Sequence, residues 1–435
     1  MPGESTPVYP DWFTSSVKAI YDPAKQGMTN YDVIEAYVED FTNWNYVKAR
    51  GVATISQHKF IITECILKGL GIVEDIQEPY SNLTVRIIGI TDNQEVLITD
   101  YVNGQHQIIN TITEDGIYTI EDRQHFVGFG CNFVGTCNIT IEQLPTSILK
   151  DLSGNGNHAY LYGGKGKLNS GIGLYTYDYN SDRWSSTGRA DYIITKKGFE
   201  FTNIIEDGGI IFALGSNIAK EGDKVKVKIS GIPNGGRVYF GTWITATEDG
   251  EYLGTYAYDN NGNTTIGTLG CIGATITLEF IPDYPDQLCY DGKMYAVCYD
   301  FPILTDYTVM ADRTWFDIRS VSCFIGKRNR SGDNLGAFEF EFRANQALSF
   351  GRTNSIIFAD SGIVYQTKNS YNGIGIKSGL LDDTDVLIIG AAQQNINNKP
   401  QDIYIGCHGK IIIADRSFTE EEIDWIKENI YNIKI

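Results

Sequence analysis

The chain has 435 residues, of which 42% are hydrophobic and 20% charged, so it can bury the cores of about two to four folded domains. Its formal net charge of −19 would repel a nucleic-acid backbone and an anionic membrane surface, so neither is an expected partner. Glycine (46), tyrosine (27) and phenylalanine (20) are abundant and methionine (4) is scarce, which favours many short strands joined by tight turns.

The first element that the sequence predicts is a helix over about residues 30–41. Thr29 and Asp32 have the spacing of a capping box, and apolar side chains recur at helical spacing from Ile34 to Phe41. The segment before it, Met1 to Pro10, has neither the basic nor the apolar region of a secretory signal. No stretch approaches the ~20 apolar residues of a membrane helix. We therefore expect a chain made in the cytoplasm.

Most of the chain beyond this predicted helix reads as strand and turn, and it contains an internal repeat. The first copy carries LTVRIIGI (83–90), TEDG (113–116), Cys131 and ITIEQLP (139–145). The second copy carries VKVKISGI (225–232), TEDG (247–250), Cys271 and ITLEFIP (276–282) in the same order. Ordered landmarks of this kind indicate duplication of one small β-sandwich.

The remaining pieces form a plausible unit only when the repeats are insertions. We expect residues 1–41, 147–200 and 286–435 to build one lectin-like jelly roll of roughly 240 residues. The inserted modules are then 42–146 and 201–285. The jelly roll ends in a second predicted helix, over about 419–430, where Thr419 and Glu422 have capping-box spacing. The predicted fold class is all-β, a discontinuous jelly-roll sandwich with two related inserted modules and a short C-terminal helix.

The cysteines and histidines predict no metal site. None of the eight cysteines forms a CxxC pair, and the five histidines are scattered without zinc-ligand spacing. Several cysteines lie in apolar runs, such as Cys298 in YAVCYDF and Cys323 in VSCFIG. We interpret them as small core residues of a protein made in a reducing compartment.

Three segments carry a family resemblance. The C-terminal DIYIGCHGKIIIADRSFTEEEIDWIKENI (402–430) resembles the end of concanavalin A-like, laminin G-like jelly rolls. DLSGNGNHAYLYG (151–163) resembles an early turn of that family, and YDGKMYAVCYDFPILTDYTVMADRTW (290–315) resembles the strand pair after that turn. This fold hosts lectins, hydrolases and adhesion modules, so it implies no single function.

A narrower resemblance comes from YDPAKQGMTNYDV (21–33), DLSGNGNHAYLY and GIGLYTYDYNSDRW. Together they resemble virion surface proteins of crAss-like phages of gut Bacteroidales. That resemblance implies a structural virion protein, a head or tail fibre or appendage, on the virion surface. It would act as a homo-oligomer beside other virion chains. The alternatives left open are a carbohydrate-binding receptor module that recognises host-surface glycans and a laminarinase-like glycosidase.

Aromatic and acidic residues between 175 and 184 are the candidate binding residues. Tyr175, Tyr177, Tyr179 and Trp184 offer flat rings that stack on pyranose faces, although alternating tyrosines also suit a sheet or a subunit contact. A second set consists of Asp178, Asn180 and Asp182, which have the first ligand positions of a calcium loop. The loop lacks the glutamate expected at its twelfth position, so a plain Asx-rich turn is the favoured interpretation. The sequence therefore predicts no cofactor, with calcium as the one alternative.

Catalytic carboxylates are not convincingly placed in the sequence. Glu422, Asp424 and Glu428 approximate a laminarinase motif, but the last residue comes one position late, and the string lies in the predicted terminal helix. Glu339 and Glu341 alternate correctly along a strand, without a third carboxylate. The sequence therefore predicts no catalytic residue and a protein that is not an enzyme.

Overall fold

The computed structural model describes most of the chain. The described residues are 9–26, 37–75, 82–102, 105–121, 127–163, 167–168, 184–195, 198–206, 208–215, 222–241, 244–257, 263–281, 284, 287–316, 322–329, 335–343, 346–351, 354–358, 361–368, 370–371, 374–375, 384–393 and 400–432.

The elements are given in chain order. Helix α1 (Asp11–Ser16) and strand β1 (Val17–Tyr21) come first, with short 3-10 helices at Pro23–Gln26 and Phe41–Asn43. The next strands are β2 (Asn45–Tyr46), β3 (Gly51–Ser56), β4 (Lys59–Cys65), β5 (Gly71–Glu74), β6 (Leu83–Ile88), β7 (Val96–Val102), β8 (Gln105–Ile112), β9 (Gly116–Ile120), β10 (Val127–Cys131) and β11 (Gly135–Gln143). Then come β12 (Ile148–Leu149), β13 (Ala159–Gly163) and β14 (Lys167–Leu168).

Ten further strands follow one another as the ten strands β2–β11 do. They are β15 (Trp184–Ser186), β16 (Ala190–Thr195), β17 (Gly198–Ile204), β18 (Gly209–Gly215), β19 (Lys224–Ser230), β20 (Arg237–Phe240), β21 (Ile244–Ala246), β22 (Gly250–Thr255), β23 (Asn263–Leu269) and β24 (Thr275–Ile281).

The C-terminal part holds the remaining strands and helix α2. These are β25 (Leu288–Asp291), β26 (Met294–Cys298), β27 (Thr308–Trp315), β28 (Ser322–Asn329), β29 (Leu335–Arg343), β30 (Gln346–Gly351), β31 (Asn354–Phe358), β32 (Ser361–Thr367), β33 (Ser370–Tyr371), β34 (Ile374–Gly375), β35 (Leu387–Ile389), β36 (Ala392–Gln393), β37 (Pro400–Gln401), β38 (Ile405–Ala414) and α2 (Glu420–Asn429).

Two eight-stranded sheets form what we call the core sandwich. The first core sheet has the order β14-β25-β38-β27-β32-β33-β34, with β1 also pairing with β38. The second core sheet has the order β12-β13-β26-β35-β28-β29-β30-β31. One apolar cluster contains buried residues from both sheets, among them Tyr21, Leu161, Phe324 and Ile411. The predicted all-β, discontinuous jelly-roll fold with a short C-terminal helix is confirmed.

Helix α2 covers the outer face of the first core sheet. Thr419 caps it through the predicted reciprocal bonds with Glu422, so the terminal helix begins where the sequence predicts. Ile423 and Ile426 on its buried face pack with Met310 and Ile412 of the sheet. Helix α1 packs there too but has only six residues, too few for a periodic signal in the sequence.

The two inserted modules share one strand order. The first module pairs β2-β5-β10-β7-β8 in one sheet and β3-β4-β11-β6-β9 in the other. The second module pairs β15-β18-β23-β20-β21 and β16-β17-β24-β19-β22. Counted from the start of each module, the two orders are identical. This agreement supports duplication.

The TEDG turns of the two modules make the same contacts. The Asp115 carboxylate accepts hydrogen bonds from the backbone N–H groups of Gly89 and Ile90, at 3.0 and 2.8 Å. The Asp249 carboxylate accepts equivalent bonds from Gly231 and Ile232, at 2.9 and 2.8 Å. These bonds lower the pKa of Asp249. The repeated Asp is therefore a structural acceptor that fixes the end of the preceding strand.

One register differs between the modules. Glu142 of β11 lies opposite Arg86, three residues before Gly89. Its counterpart Glu279 of β24 lies opposite Lys226, five residues before Gly231. The register between β24 and β19 in the second module is therefore shifted by two residues relative to the register between β11 and β6 in the first. Overlaying the glycines leaves the ends of the closing strands displaced.

Two sequence predictions need correction. Strands β15–β17 pair within the sheets of the second module, so the expected boundary at residue 200 does not follow the sheets, and this module begins by residue 184. The predicted helix at 30–41 is absent over residues 37–40, and Phe41 begins a short 3-10 helix. There the N–H groups of Val38 and Glu39 both donate to Gln143 Oε1, at 2.8 and 2.9 Å, which holds the chain out of a helix. Residues 27–36 lie outside the described part.

Candidate functional site

The binding residues predicted from the sequence lie outside the described part of the chain, apart from the backbone of Trp184. Tyr175, Tyr177 and Tyr179, with the calcium-loop candidates Asp178, Asn180 and Asp182, lie outside the described residues. The backbone of Trp184 begins β15 and pairs with Leu214, which places it in the second module and not in the jelly roll. The side chain of Trp184 also lies outside the described part. Both sites stay predictions.

The candidate acids have different outcomes. Glu422 accepts from the backbone N–H of Thr419 and pairs with Arg416 at 2.7 Å, so it holds the start of α2. Asp424 pairs with Lys427 on the same helix at 2.9 Å. The side chains of Glu339 and Glu341 lie outside the described part of the chain.

A cleft of about 500 Å³ lies between the first module and the outer face of the second core sheet. That volume lies within the usual range of small-molecule sites. The module side is formed by Ser56, Gln57, His58, Lys59, Arg86, Ile88 and Glu142. The core side is formed by Tyr162, Tyr295, Val297, Tyr299, Val386 and Ile388, with Tyr37 and Pro400 at its margins.

Strand alternation explains why the core side of the cleft is aromatic. In β13, Leu161 enters the core of the sandwich, so its neighbours Tyr160 and Tyr162 point to the outer face. In β26, Ala296 and Cys298 enter the core and Val297 points outward. The outward residues form an apolar cluster with Leu144 of the first module. This cluster closes one side of the cleft.

The cleft tyrosines support one another. Tyr162 and Tyr295 lie opposite each other in register, and their rings are parallel to within 9° with centroids 5.5 Å apart. The hydroxyls of Tyr162 and Tyr299 lie 3.0 Å apart and share a hydrogen bond. Tyr162 is only 8% exposed, whereas Tyr295 and Tyr299 are partly exposed. Tyr162 therefore positions the two rings that a ligand can reach.

Charged residues face these rings from the module. Glu142 on β11 lies directly opposite Lys59 of β4 on one side and Arg86 of β6 on the other. The Arg86 guanidinium carbon lies 4.3 Å from the centroid of the Tyr299 ring, which is cation–π geometry. We call Lys59, Glu142 and Arg86 the charged row.

The phenol groups are held in their protonated form. Burial raises the pKa of Tyr162, and Tyr299 and Glu142 raise it further. Burial also raises the pKa of Tyr299, Glu142 adds to this, and Arg86 acts in the opposite direction. Both hydroxyls therefore stay protonated at neutral pH, and one of them donates to the other.

A stacked pair fixes the margin of the cleft. The Tyr37 ring lies parallel to the His58 ring at a centroid distance of 3.6 Å. The linker before the module is held by Gln143, whose Nε2 donates to the Glu39 carbonyl at 2.8 Å. The margin is thus tied to β11, the strand that also carries Glu142.

The chemistry of the lining suits the binding of a polar ligand that also has apolar faces. It combines ring faces, hydroxyl donors, two cations and one carboxylate, Glu142. No group of acidic, cysteine and histidine side chains suited to hold a metal ion occurs among the described residues. All eight cysteines are free thiols, and most are buried. No helix in the described part of the chain is long and apolar enough to cross a membrane.

The sequence did not predict this cleft. The sequence does indicate the core side of the cleft, because Tyr295 and Tyr299 alternate with the buried Ala296 and Cys298 and so share the outer face of the strand. It does not indicate the module side, because Arg86 and Glu142 belong to an inserted module whose contact face the sequence does not specify. The same alternation in the sequence favours the tyrosines at 175–179.

Comparisons with known proteins give fold-level similarities only. No family model matches the chain, and no curated protein matches it. The chain is similar to a sialidase of Trypanosoma rangeli in complex with sialic acid, at 9% identity over 87% of this chain and 83% of the sialidase, with a TM-score of 0.25. It is also similar to a triple jelly-roll protein of a turret assembly in an archaeal virus, at 10% identity over 95% and 98%, with a TM-score of 0.13.

A third similar structure is truncated AlyQ with CBM32 and alginate lyase domains, at 11% identity over 88% of this chain and 99% of that chain, with a TM-score of 0.16. The sialidases contradict the prediction that this chain is not an enzyme, and we withdraw that prediction. At such identities and TM-scores, these structures assign no activity, ligand or partner to the chain.

Proposed function

We propose that this protein is a lectin-like surface protein of a tailed-phage particle, and that it binds a glycan in the cleft between the first module and the core sandwich. The observation that carries the glycan proposal is the lining of the cleft. Partly exposed tyrosine rings lie on one side, and the charged row faces them from the other.

This arrangement suits a sugar for a physical reason. A pyranose ring has apolar C–H faces, which pack against aromatic rings, and an edge of hydroxyls, which require donors and acceptors. Tyr295 and Tyr299 supply the rings. Lys59 and Arg86 supply donors and Glu142 supplies an acceptor, so one bound sugar contacts both sides of the cleft.

The virion setting is supported by the resemblance of DLSGNGNHAYLY and its companion segments to crAss-like phage proteins. In that setting the protein is a head or tail fibre or appendage, and its partners are further copies of itself, other virion chains and host-surface glycans. A mass-spectrometric census of purified phage particles, with antibody labelling in electron micrographs, tests this. Absence of the protein from particles that carry all other structural proteins would refute the virion proposal.

A glycan array probed with the full chain tests the binding proposal. We expect bound glycans, with signals that fall sharply for Tyr299→Ala and for Arg86→Gln. The matched control is Glu279→Gln, which changes an outward carboxylate of the second module, away from the cleft. Bound glycans whose signals are unaffected by both cleft variants would place the site elsewhere. An array without signal would refute glycan binding.

A further inference from the structure

We infer that the ligand of the cleft is a neutral hexopyranose chain, not an acidic glycan. This inference rests on the proposed function and specifies the ligand of the same site. It is drawn from the mixed sign of the charged row and from the carboxylates around it.

The charged row alternates in sign. Glu142 lies between Lys59 and Arg86 across three neighbouring strands, so each cation has a carboxylate directly opposite in register. The side chain of Glu142 forms no hydrogen bond or ion pair with any of the residues that the structure describes, and it is half-buried. Its acceptor oxygens are therefore available to a ligand hydroxyl. A ligand carboxylate at the same place would meet like charge.

The positive charge of Arg86 is partly offset by its surroundings. Its guanidinium group stacks on the Tyr299 ring at 4.3 Å. Burial raises the pKa of Asp300, Arg86 lowers it, and Asp385 and Asp115 raise it again. Arg86 thus lies within electrostatic reach of the Asp300 carboxylate, which partly offsets its charge. The net charge of −19 on the whole chain further disfavours the approach of an acidic polymer.

The aromatic side fits a ring that needs no charge. Tyr295 is partly exposed, and it lies parallel to the buried Tyr162 behind it. A rigid ring face binds the C–H face of a sugar through apolar contact, which depends little on salt. Hydroxyls at the edge of the sugar then reach both Glu142 and Lys59.

Calorimetric titration of the full chain tests the inference. The probes are neutral gluco-, manno- and galacto-oligosaccharides, and oligogalacturonates of the same lengths. We expect at least one neutral series to bind, with an affinity that changes less than about twofold between low and high salt. Tyr295→Ala should weaken binding about tenfold and Tyr295→Phe should retain it, because the ring face and not the hydroxyl makes the contact.

Glu142→Gln distinguishes the two ligand classes. For a neutral ligand it removes a strong charged acceptor and weakens binding severalfold, whereas for an acidic ligand it removes repulsion and strengthens binding. Glu279→Gln in the second module should change neither affinity. Salt-sensitive binding of oligogalacturonate that is strengthened by Glu142→Gln would overturn the neutral ligand and leave the proposed glycan site standing. Binding of neither class, or binding indifferent to both Tyr295→Ala and Glu142→Gln, would overturn the site itself.

Discussion

The carboxylate of Asp151 connects the DLSGNGN turn to β1. Its Oδ1 accepts from the N–H groups of Ile20 and Ser153, both at 2.9 Å. Its Oδ2 accepts from the Ser153 hydroxyl at 2.8 Å and from the Asn157 N–H at 3.1 Å. Asn157 Nδ2 in turn donates to the Lys18 carbonyl at 2.7 Å. The turn that resembles the jelly-roll family is therefore a structural junction of the core sandwich.

Replacing this carboxylate should destabilise the sandwich strongly. Asp151 is 6% exposed, so Asp151→Ala leaves several N–H groups without an acceptor and should lower the free energy of unfolding by about 3 kcal/mol. The control is Asp415→Asn, which removes a partly exposed ion pair with Lys18 and should cost about 0–1 kcal/mol. Urea unfolding followed by tryptophan fluorescence measures both. Equal effects of the two variants would contradict this role.

His408 gives the sandwich a pH dependence. It is fully buried, its Nε2 lies 3.0 Å from the Tyr290 hydroxyl, and burial lowers the pKa of its imidazole to about 4. The unfolded chain binds this proton at about pH 6.5, so the unfolded state holds more protons between these values. The contribution of His408 to the free energy of unfolding is fully present above about pH 6.5. It is lost as the pH falls towards 4, by about 3 kcal/mol at the limit.

Urea midpoints at pH 7 and pH 5 measure this loss. The His408→Gln variant should be less stable than the wild type at pH 7, because the buried site is disrupted. It should nevertheless lose less stability between the two pH values, because it lacks the titrating imidazole. Parallel pH profiles for the two proteins would show that His408 does not titrate in this way.

At the scale of elements, the repeated glycines have the same backbone conformation in the two modules but different surroundings. Gly89 and Gly231 both adopt positive φ, of 93° and 85°. A Cβ at Gly89 would lie 2.2 Å from the Asn138 carbonyl oxygen, whereas at Gly231 the nearest atom would be 3.5 Å away. The two-residue difference in register explains this, because it places a different part of the closing strand beside each glycine.

Alanine at these two glycines should therefore have unequal effects. Gly231→Ala introduces only the backbone strain of a left-handed residue, about 1–2 kcal/mol. Gly89→Ala adds a clash with backbone and should cost clearly more, since the strand itself must shift. Thermal unfolding of the two variants measures the difference. Equal losses would indicate that the register difference is not present in solution.

The sequence predicted the elements best where the signal is local. The capping box of α2 needs only Thr419 and Glu422, and strand alternation needs only nearest neighbours. The predicted helix at 30–41 failed because Gln143, about a hundred residues away, holds the backbone of Val38 and Glu39. The module side of the cleft could not be predicted for the same reason, because Arg86 contacts Tyr299 only when the first module packs against the core sandwich.

At the scale of the whole molecule, the two modules relate differently to the core sandwich. The apolar cluster of the second module contains only its own residues, such as Phe201 and Phe280. The first module has its own cluster around Phe60, and it also contributes Leu144 to the apolar cluster on the outer face of the second core sheet. In the described part of the chain, shared apolar packing therefore joins the first module to the sandwich, and the second module keeps a separate core.

Separate cores predict separate unfolding. Phe201→Ala should lower the free energy of unfolding of the second module by about 3–5 kcal/mol, because it leaves a cavity in a closed core. In scanning calorimetry, it should shift one transition to lower temperature and leave ligand affinity in the cleft unchanged.

Phe60→Ala should have a similar cost in the first module. Phe60 lies between Lys59 and the outward-facing Ile61 on β4, and Lys59 is one end of the charged row. Loss of order there should displace the charged row and weaken ligand binding as well. One transition shifted equally by both substitutions would show that the modules and the sandwich unfold as a single unit, and the cleft would then depend on all of them together.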